Sequence, residues 1–170
     1  MWPPPTVADW RMPHRAPAAL NPRRKQDPLN PAPVRIVVVD REEITASWIE
    51  HIIRAEYDVV LKSFTFSQAA WEELERTSPD MLIVDGVMPY ISGEQIVRAL
   101  MGRKATYPIL VVSGFLSGDV VRGWFPDAPN VAFLRKPFTA QQLVDEVEKH
   151  FEPASSSMRF NLRPPVRPDS

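Results

Sequence analysis

The sequence has no cysteine among its 170 residues. Disulfide bonds, thiolate metal sites and cysteine nucleophiles are therefore excluded. No apolar run approaches the roughly 18 residues that a membrane-spanning helix needs. The amino terminus also lacks the apolar block of a secretory signal, because Pro3, Pro4 and Pro5 stand there instead. We therefore expect a soluble, cytoplasmic protein with no membrane partner.

Glycine is scarce as well, with six residues, and no glycine-rich phosphate loop is present. Such a loop would follow the first apolar run, where the sequence reads Arg41-Glu42-Glu43. The three histidines, His14, His51 and His150, have no clustered partners, and no Ser/His/Asp nucleophilic set is recognisable. These absences argue against an α/β enzyme or nucleotide-binding protein, which we keep as an alternative.

Proline and charge are unevenly distributed along the chain. Nine of the 19 prolines lie in residues 1–33, and residues 153–170 are rich in serine and proline. We expect a disordered leader over 1–33, one folded domain over 34–152 and a loose tail over 153–170. The folded part holds 12 Lys or Arg against 18 Asp or Glu. An acidic body argues against nucleic-acid binding and suits a cation site.

Three apolar runs each end at a charged residue. Val34–Val39 is followed by Asp40, Met81–Val84 by Asp85, and Val131–Leu134 by Arg135 and Lys136. Short runs of branched apolar residues bounded by turn formers are typical of buried parallel strands. The carboxyl ends of such strands form one edge of a sheet, where ligands bind. The sequence therefore predicts that Asp40, Asp85 and Lys136 meet in one small space.

Two further apolar runs and the intervening helical patterns complete a five-stranded α/β fold. We predict a doubly wound parallel sheet with helices on both faces. The additional strands are Tyr57–Leu61, near the sheet edge, and Ile109–Val112. The predicted helices cover Glu42 to about Ala55, Ser67–Arg76, Gly93 to about Arg103, and a segment from Thr139 to about Phe151.

Several details of these helices follow from side-chain patterns. In the first helix, Ile44, Trp48 and Ile52 recur at helical spacing, and we expect them to be buried together with Ile49 and Ile53. In the other helices, Ser67 is a predicted N-cap, and Ser92 with Gln95 and Thr139 with Gln142 match the capping-box pattern.

The stretch from Phe115 to Asn130 is expected to be irregular. Ser117 could cap a short helix through Val121, but Gly123, Pro126 and Pro129 argue against a long one. Trp124 and Phe125 in this stretch are interpreted as part of a small apolar core rather than as a partner-binding patch.

Four segments together resemble the receiver domain of two-component response regulators. They are VRIVVVDREE, DMLIVDGVMPYISG, PILVVSGF and VAFLRKPF, and the resemblance extends from Val34 to about Glu152. It implies that the module takes a phosphoryl group from a phosphohistidine on a histidine kinase or phosphotransfer protein. It also implies that the chain is not an enzyme beyond catalysing its own phosphorylation and dephosphorylation.

The resemblance assigns roles residue by residue. Asp85 matches the phosphoacceptor, and Mg²⁺ is expected as cofactor on Asp40, Asp85 and the main-chain carbonyl of Val87. Ser113 matches the catalytic and switch hydroxyl, Phe133 the switch aromatic, and Lys136 the lysine that precedes proline in a cis peptide. An ordinary core role for Phe133 stays open. Because little sequence follows Glu152, we expect a stand-alone module that signals through an unknown protein target.

Two departures from the family pattern affect function. The family usually has two adjacent acids after the first strand, whereas Arg41 follows Asp40 here. We expect weakened but working Mg²⁺ binding, with Glu42 or Glu43 compensating or Arg41 pointing to solvent. The apolar Val87 and Phe115 flank the expected phosphate position, and we expect them to hinder an attacking water.

Three questions stay open at this stage. The main alternative function is a pseudo-receiver, which uses the same fold for protein binding without phosphate. Pairing into a homodimer and origin as a fragment of a hybrid kinase are also left undecided.

Overall fold

The computed structural model describes residues 33–151, apart from the side chains of the last two. Five strands alternate with five helices along this part of the chain. They are β1 (Val34–Val39), α1 (Glu43–Glu56), β2 (Val59–Phe64), α2 (Ser67–Arg76), β3 (Met81–Asp85), α3 (Gly93–Gly102), β4 (Ile109–Ser113), α4 (Gly118–Trp124), β5 (Val131–Arg135) and α5 (Ala140–Phe151). The predicted leader and tail lie outside the described residues, except for Pro33.

All strand pairs are parallel, and the strand order is β2-β1-β3-β4-β5. The order reverses direction after β1, so the connections wind in both directions from the centre and helices cover both faces. The predicted doubly wound sheet is confirmed, as is the edge position of β2. Strands β3 and β4 and the last four residues of β1 are fully buried, which explains why these stretches are almost continuously apolar.

The sheet separates two apolar clusters. One face packs against α1 and α5 through residues such as Ile53 and Leu143. The opposite face packs against α2, α3 and α4 through residues such as Trp71, Ile96 and Val121. Alternate residues of each strand point to opposite faces, so β1, β3 and β4 contribute to both clusters.

The predicted buried face of α1 is wrong at two positions. Ile49, Ile52 and Ile53 are buried, but Ile44 is 86% exposed and Trp48 is 47% exposed. Ala46 takes the inner position instead. Helical periodicity places Ile44, Trp48 and Ile52 along one side of α1. The sheet covers the neighbouring side, which is centred on Ile49 and Ile53, and Ile52 lies at the edge of the covered region.

Helix α2 has the predicted bounds but not the predicted cap. Phe66 occupies the N-cap position without a side-chain hydrogen bond, and Ser67 is the first helical residue. The Ser67 hydroxyl instead donates to the main-chain oxygen of Pro89, 3.2 Å away. A tertiary contact between the start of α2 and the loop after β3 therefore replaces the local cap. Ala70, Trp71 and Leu74 face inward as predicted.

The fourth helix is short, as expected, but it continues three residues past the predicted end at Val121. The Ser117 hydroxyl oxygen accepts from Val120 N–H at its start. Gly123 is tolerated within it, and Phe125 follows as the C-cap and packs into the core together with Trp124. The interpretation of this aromatic pair as core is confirmed.

Both predicted capping boxes are confirmed. In α3, Ser92 and Gln95 satisfy each other's main-chain N–H groups, and Thr139 and Gln142 do the same before α5. Strand β2 begins and ends later than predicted, because Tyr57 is the C-cap of α1 rather than a strand residue. Within residues 33–151, none of the helices combines the length and apolarity needed to cross a bilayer.

Candidate functional site

The predicted meeting of three charged side chains at the carboxyl edge of the sheet is confirmed. Asp40 directly follows β1, Asp85 is the last residue of β3, and Lys136 directly follows β5. Lys136 Nζ lies 2.6 Å from Asp40 Oδ2 and 3.5 Å from Asp85 Oδ2. All three side chains are largely buried, at 0%, 4% and 15% exposure for Asp40, Asp85 and Lys136.

Each aspartate is oriented by the backbone two residues further along. Glu42 N–H donates to Asp40 Oδ1 at 2.9 Å, and Val87 N–H donates to Asp85 Oδ1 at 3.0 Å. These short turns are typical of aspartate after a strand. They hold one oxygen of each carboxylate and leave Oδ2 of both facing the Lys136 ammonium group.

Gly93 lets the chain return close to the end of β3. A Cβ atom at this position would lie 2.1 Å from the main-chain oxygen of Asp85, a distance that no side chain tolerates. The first residue of α3 therefore packs directly on the backbone that carries Asp85. This contact fixes the loop between β3 and α3 against the site.

Burial raises the pKa of Asp85 above its ordinary value. The Val87 N–H group, the Lys136 ammonium and the Arg41 guanidinium each lower that pKa, while the neighbouring Asp40 raises it. Desolvation outweighs the favourable contacts, because a carboxylate loses most of its hydration at this depth. Proton loss from Asp85 therefore depends on the nearby cations.

Arg41 reaches the site, which the sequence left undecided. Its Nε atom lies 3.7 Å from Asp85 Oδ2, and its side chain is only 33% exposed. Its guanidinium carbon lies 5.5 Å from the centre of the Phe115 ring, a cation–π distance. The alternative that Arg41 points away into solvent is therefore wrong. The resemblance places Arg41 after Asp40 and Phe115 beside the expected phosphate position, but nothing in the sequence fixes the direction of the Arg41 side chain.

Glu42 is a second acidic side chain at the edge of the site. Its Oε2 atom lies 3.8 Å from Lys136 Nζ and accepts a hydrogen bond from the Thr45 hydroxyl. The side chain is half-exposed, so its attraction for Lys136 is screened by water.

Ser113 is buried at the end of β4, next to the strand that carries Asp85. Its hydroxyl oxygen accepts from Phe115 N–H at 3.2 Å and from Leu116 N–H at 3.3 Å. It therefore shapes the loop on which Phe115 stands. In both hydrogen bonds the Ser113 oxygen is the acceptor, so neither of them uses the hydroxyl proton.

Phe133 and Val87 lie at positions that are compatible with their predicted roles, and these roles stay predictions. Phe133 is partly buried on β5 and packs against the cluster that includes α4, close to Gly118. Val87 is partly buried and is held next to Asp85 by its N–H group. The Lys136-Pro137 peptide bond is cis, as the resemblance implied.

The donors at this edge fit a hard cation, although they are few. No group of three or more His, Asp or Glu side chains suited to a metal occurs in residues 33–149. Asp40 Oδ2 is buried, has no hydrogen-bond partner among the described residues and forms an ion pair with Lys136 Nζ, 2.6 Å away. Magnesium commonly uses one or two carboxylates with water and phosphate oxygens, which matches this set.

An open cavity of about 480 Å³ lies above the charged residues. Asp85 and Lys136 form part of its wall, and residues from α1 and from the loops after β1, β4 and β5 complete it. These further lining residues are Arg41, Glu42, Thr45, Trp48, Gly114, Phe115, Pro137 and Phe138. The exposed Trp48 thus borders the site rather than the core.

Comparison with known proteins is consistent with this geometry. A family model described as the response regulator receiver domain matches residues 36–148. The alkaline phosphatase synthesis transcriptional regulatory protein PhoP of Bacillus subtilis is 29% identical over 111 residues, which cover 64% of this chain and 45% of PhoP. The transcriptional regulatory protein PdtaR of Mycobacterium tuberculosis is 27% identical over 116 residues, covering 68% of this chain and 56% of PdtaR. The chain thus spans about half the length of these curated relatives.

Solved structures show the same fold at lower sequence identity. The chemotaxis protein CheY4 of Vibrio cholerae matches with a TM-score of 0.61 and 19% identity, covering 70% of this chain and 99% of CheY4. The receiver domain of the Francisella response regulator 1452 matches with a TM-score of 0.61 and 19% identity, covering 69% of this chain and 95% of that domain.

Proposed function

Because the chain belongs to the response regulator receiver domain family, we propose that it accepts a phosphoryl group on Asp85 within a two-component phosphorelay. The observation that carries this proposal is the convergence of Asp85, Asp40 and Lys136 at one sheet edge, with open space above them. Phosphoryl transfer needs mainly positioning and neutralisation of charge, and this arrangement offers both.

The nucleophile in the proposed reaction is Asp85 Oδ2. Oδ1 is engaged by Val87 N–H, whereas Oδ2 faces Lys136. Attack of Oδ2 on phosphorus forms a P–O bond while the P–N bond of a phosphohistidine breaks. The departing imidazole nitrogen keeps the electron pair and then takes a proton from solvent. Lys136 lowers the Asp85 pKa and attracts the phosphoryl oxygens as a flexible point charge.

Magnesium is the proposed cofactor. Asp40, Asp85 and the main-chain carbonyl of Val87 would hold it, and when bound it would supply positive charge to the phosphoryl oxygens. Asp40 contributes to this role through its buried Oδ2, which has no hydrogen bond among the described residues. Asp40 also holds Lys136 in place within the site.

The proposed response to phosphorylation passes through Ser113 and Phe133. An aspartyl phosphate adds roughly 1.5–2 negative charges and strong acceptor oxygens. The Ser113 hydroxyl can donate its proton to one of these oxygens. This would alter the hydrogen bonds that Ser113 Oγ accepts from Phe115 N–H and Leu116 N–H, and thus the position of the loop. Phe133 lies near Gly118, which begins α4 directly after this loop, so a movement of the loop would change the space beside Phe133. The surface around α4 and β5 would then signal to a protein partner.

The proposed partners follow from the same chemistry. A histidine kinase or a histidine phosphotransfer protein supplies the phosphoryl group, and a downstream protein recognises the phosphorylated form. The chain acts catalytically only on its own phosphorylation and dephosphorylation. Cytoplasmic location belongs to the same proposal.

A pseudo-receiver is the second candidate, and the contact between Arg41 and Asp85 favours it. A guanidinium 3.7 Å from the acceptor carboxylate competes with a metal for the same charge. In this case the fold serves protein binding without phosphate.

Intact-mass spectrometry after incubation with acetyl phosphate and Mg²⁺ distinguishes the two candidates. We expect the full chain to gain the mass of one phosphoryl group and the Asp85→Asn variant to gain none. Asp80→Asn serves as the control, because Asp80 lies before β3 and accepts from Arg35 N–H, away from the site. A wild-type chain that gains no phosphate from acetyl phosphate or from histidine kinases would support the pseudo-receiver.

A further inference from the structure

Arg41 is held in a defined position over the site by two contacts. Its Nε atom lies 3.7 Å from Asp85 Oδ2, and its guanidinium stacks above the Phe115 ring. Phe115 itself is 77% exposed, so the ring gains little from burial in its own loop. The loop is positioned by the hydrogen bond from Phe115 N–H to Ser113 Oγ. An exposed ring kept in this place serves to orient the guanidinium above Asp85.

The charges of the site balance without a metal ion. The two buried carboxylates of Asp40 and Asp85 face the cations of Lys136 and Arg41. Glu42, the remaining acid near Lys136, is half-exposed and screened by water. Two close carboxylates with a single lysine would keep a net negative charge that attracts a divalent cation. Here the second cation is already part of the protein.

We propose that Arg41 is a built-in cation of the phosphoryl site, which partly replaces a divalent metal and binds the oxygens of the phosphoryl group on Asp85. This inference rests on the proposed function. The guanidinium is planar and offers several N–H donors, which suits phosphate oxygens. It is permanently charged, so the positive charge that it supplies does not depend on pH or on metal supply.

Two consequences follow for the metal. Mg²⁺ binds weakly to the unphosphorylated protein, because the guanidinium repels it and already neutralises Asp85. Phosphorylation also persists to a measurable extent when Mg²⁺ is removed. The second consequence distinguishes a built-in cation from a residue that merely blocks the site.

The first test measures Mg²⁺ affinity by isothermal titration calorimetry, without any phosphoryl donor. We expect Arg41→Gln to bind Mg²⁺ more tightly than wild type, and Arg41→Asp to bind it about tenfold more tightly or better, because it removes a positive charge and adds a carboxylate. Arg54→Gln is the matched control, since it removes an arginine from the last turn of α1, and its affinity should equal that of wild type. Equal Mg²⁺ affinity in wild type, Arg41→Gln and Arg41→Asp would overturn the proposal.

The second test measures labelling by phosphoramidate, with EDTA or with Mg²⁺, by intact mass. In EDTA we expect the initial rate for Arg41→Gln to fall about tenfold below that of wild type, and Mg²⁺ to reduce this deficit. Phe115→Leu removes the aromatic face but keeps an apolar side chain, and it should show a smaller deficit of the same kind. A rate in EDTA that is equal or higher in Arg41→Gln would show that Arg41 only obstructs the site and would overturn the proposal.

The two tests separate failure of this inference from failure of the proposed function. If wild type gains phosphate but the Arg41 variants match it in metal affinity and in EDTA, only the role of Arg41 is lost. If wild type gains no phosphate under either condition, the proposed function is lost, and the phosphate-binding role of Arg41 is lost with it.

Discussion

Gly93 has no side chain, and the geometry of the site depends on that. It begins α3 and lies against the main-chain oxygen of Asp85, where a Cβ atom would be 2.1 Å away. The obstacle is backbone, so it cannot be relieved by rotating a flexible side chain. The same close contact therefore sets the position of α3 and that of the end of β3, which carries Asp85.

We predict that Gly93→Ala destabilises the domain by about 1–3 kcal/mol, because the added methyl forces backbone shifts at the end of β3. The initial rate of phosphorylation by acetyl phosphate should also fall, since the same shift displaces Asp85. Urea denaturation and intact-mass kinetics measure the two effects. Gly102→Ala is the control, because nothing lies within 4 Å of a Cβ atom there. A Gly93→Ala protein as stable and as active as the control would contradict the close approach.

Val87 holds Asp85 through its N–H group, and its side chain carries no polar atom. An apolar side chain at this place cannot orient a water for attack on the aspartyl phosphate. We predict that Val87→Asn shortens the lifetime of the phosphorylated protein several-fold, because the amide can position that water. Decay of the phosphorylated mass after removal of the donor measures the lifetime. Val87→Leu, which has the shape of asparagine but no polar atom, is the control, and decay at the wild-type rate in the Asn variant would contradict the prediction.

At the scale of elements, Glu73 joins β2 to α2. Its carboxylate is almost fully buried and accepts from Lys62 Nζ at 2.7 Å, from Arg76 at 2.9 Å and from the Thr77 hydroxyl at 2.9 Å. Hydrogen bonding to Lys62 is the main reason why the pKa of Glu73 lies below its ordinary value, with Thr77 and the nearby charges adding to it. The ion pair between Lys62 and Glu73 therefore connects the edge strand β2 to helix α2.

This contact predicts a pH-dependent contribution to stability. Because the folded-state pKa of Glu73 is lowered, its contribution is fully present above the unfolded-state value near 4.5 and is lost as pH falls through the folded-state value. We expect Glu73→Gln to cost about 1–3 kcal/mol at pH 7 and progressively less as pH falls below the unfolded-state value near 4.5. Urea denaturation at several pH values measures the difference.

The exposed neighbour Glu72 provides the control for that experiment. Glu72→Gln should change the free energy of unfolding by less than about 0.5 kcal/mol across the same pH range. A Glu73→Gln deficit that does not shrink in acid would mean that lost packing, rather than lost charge, accounts for it.

At the scale of the whole domain, one sheet supports two apolar clusters. Ile53 of α1 is fully buried on one face, and Ile96 of α3 is fully buried on the other. Strands β1, β3 and β4 contribute side chains to both clusters, so neither layer can unfold while the other keeps its packing. Such an arrangement favours a single cooperative transition.

We predict that Ile53→Val and Ile96→Val each destabilise the domain by about 0.5–1.5 kcal/mol. The double variant should lose the sum of both, because the two sites lie on opposite faces of the sheet and share no contact. Urea denaturation followed by circular dichroism and by tryptophan fluorescence should give coincident curves for all variants. Ile44→Val, at an exposed position of α1, is the control and should change stability by less than about 0.5 kcal/mol. Two separate transitions would show that the layers unfold independently.

The sequence predictions are wrong where residues distant in the chain decide which side of a helix is buried or which group a side chain contacts. Ile44 and Trp48 have the spacing of buried residues, yet the sheet lies under Ile49 and Ile53 instead. Ser67 is a good N-cap residue, but its hydroxyl donates to Pro89 across the loop after β3. Apolar periodicity predicts a helix with an apolar side. It does not predict which residues of that side contact the sheet, because this depends on how the helix is rotated when it packs.

The sequence by itself determined the five parallel strands, the short fourth helix and the meeting of Asp40, Asp85 and Lys136, because continuous apolar runs that end in charged residues can be buried in few other ways. It named Arg41 as a departure from the family pattern but left the direction of its side chain open. Only the tertiary structure decided that Arg41 turns towards Asp85 and rests on Phe115. That contact joins the loop after β1 to the loop after β4, and such a junction exists only once the strands between them have been assembled in the order β1-β3-β4.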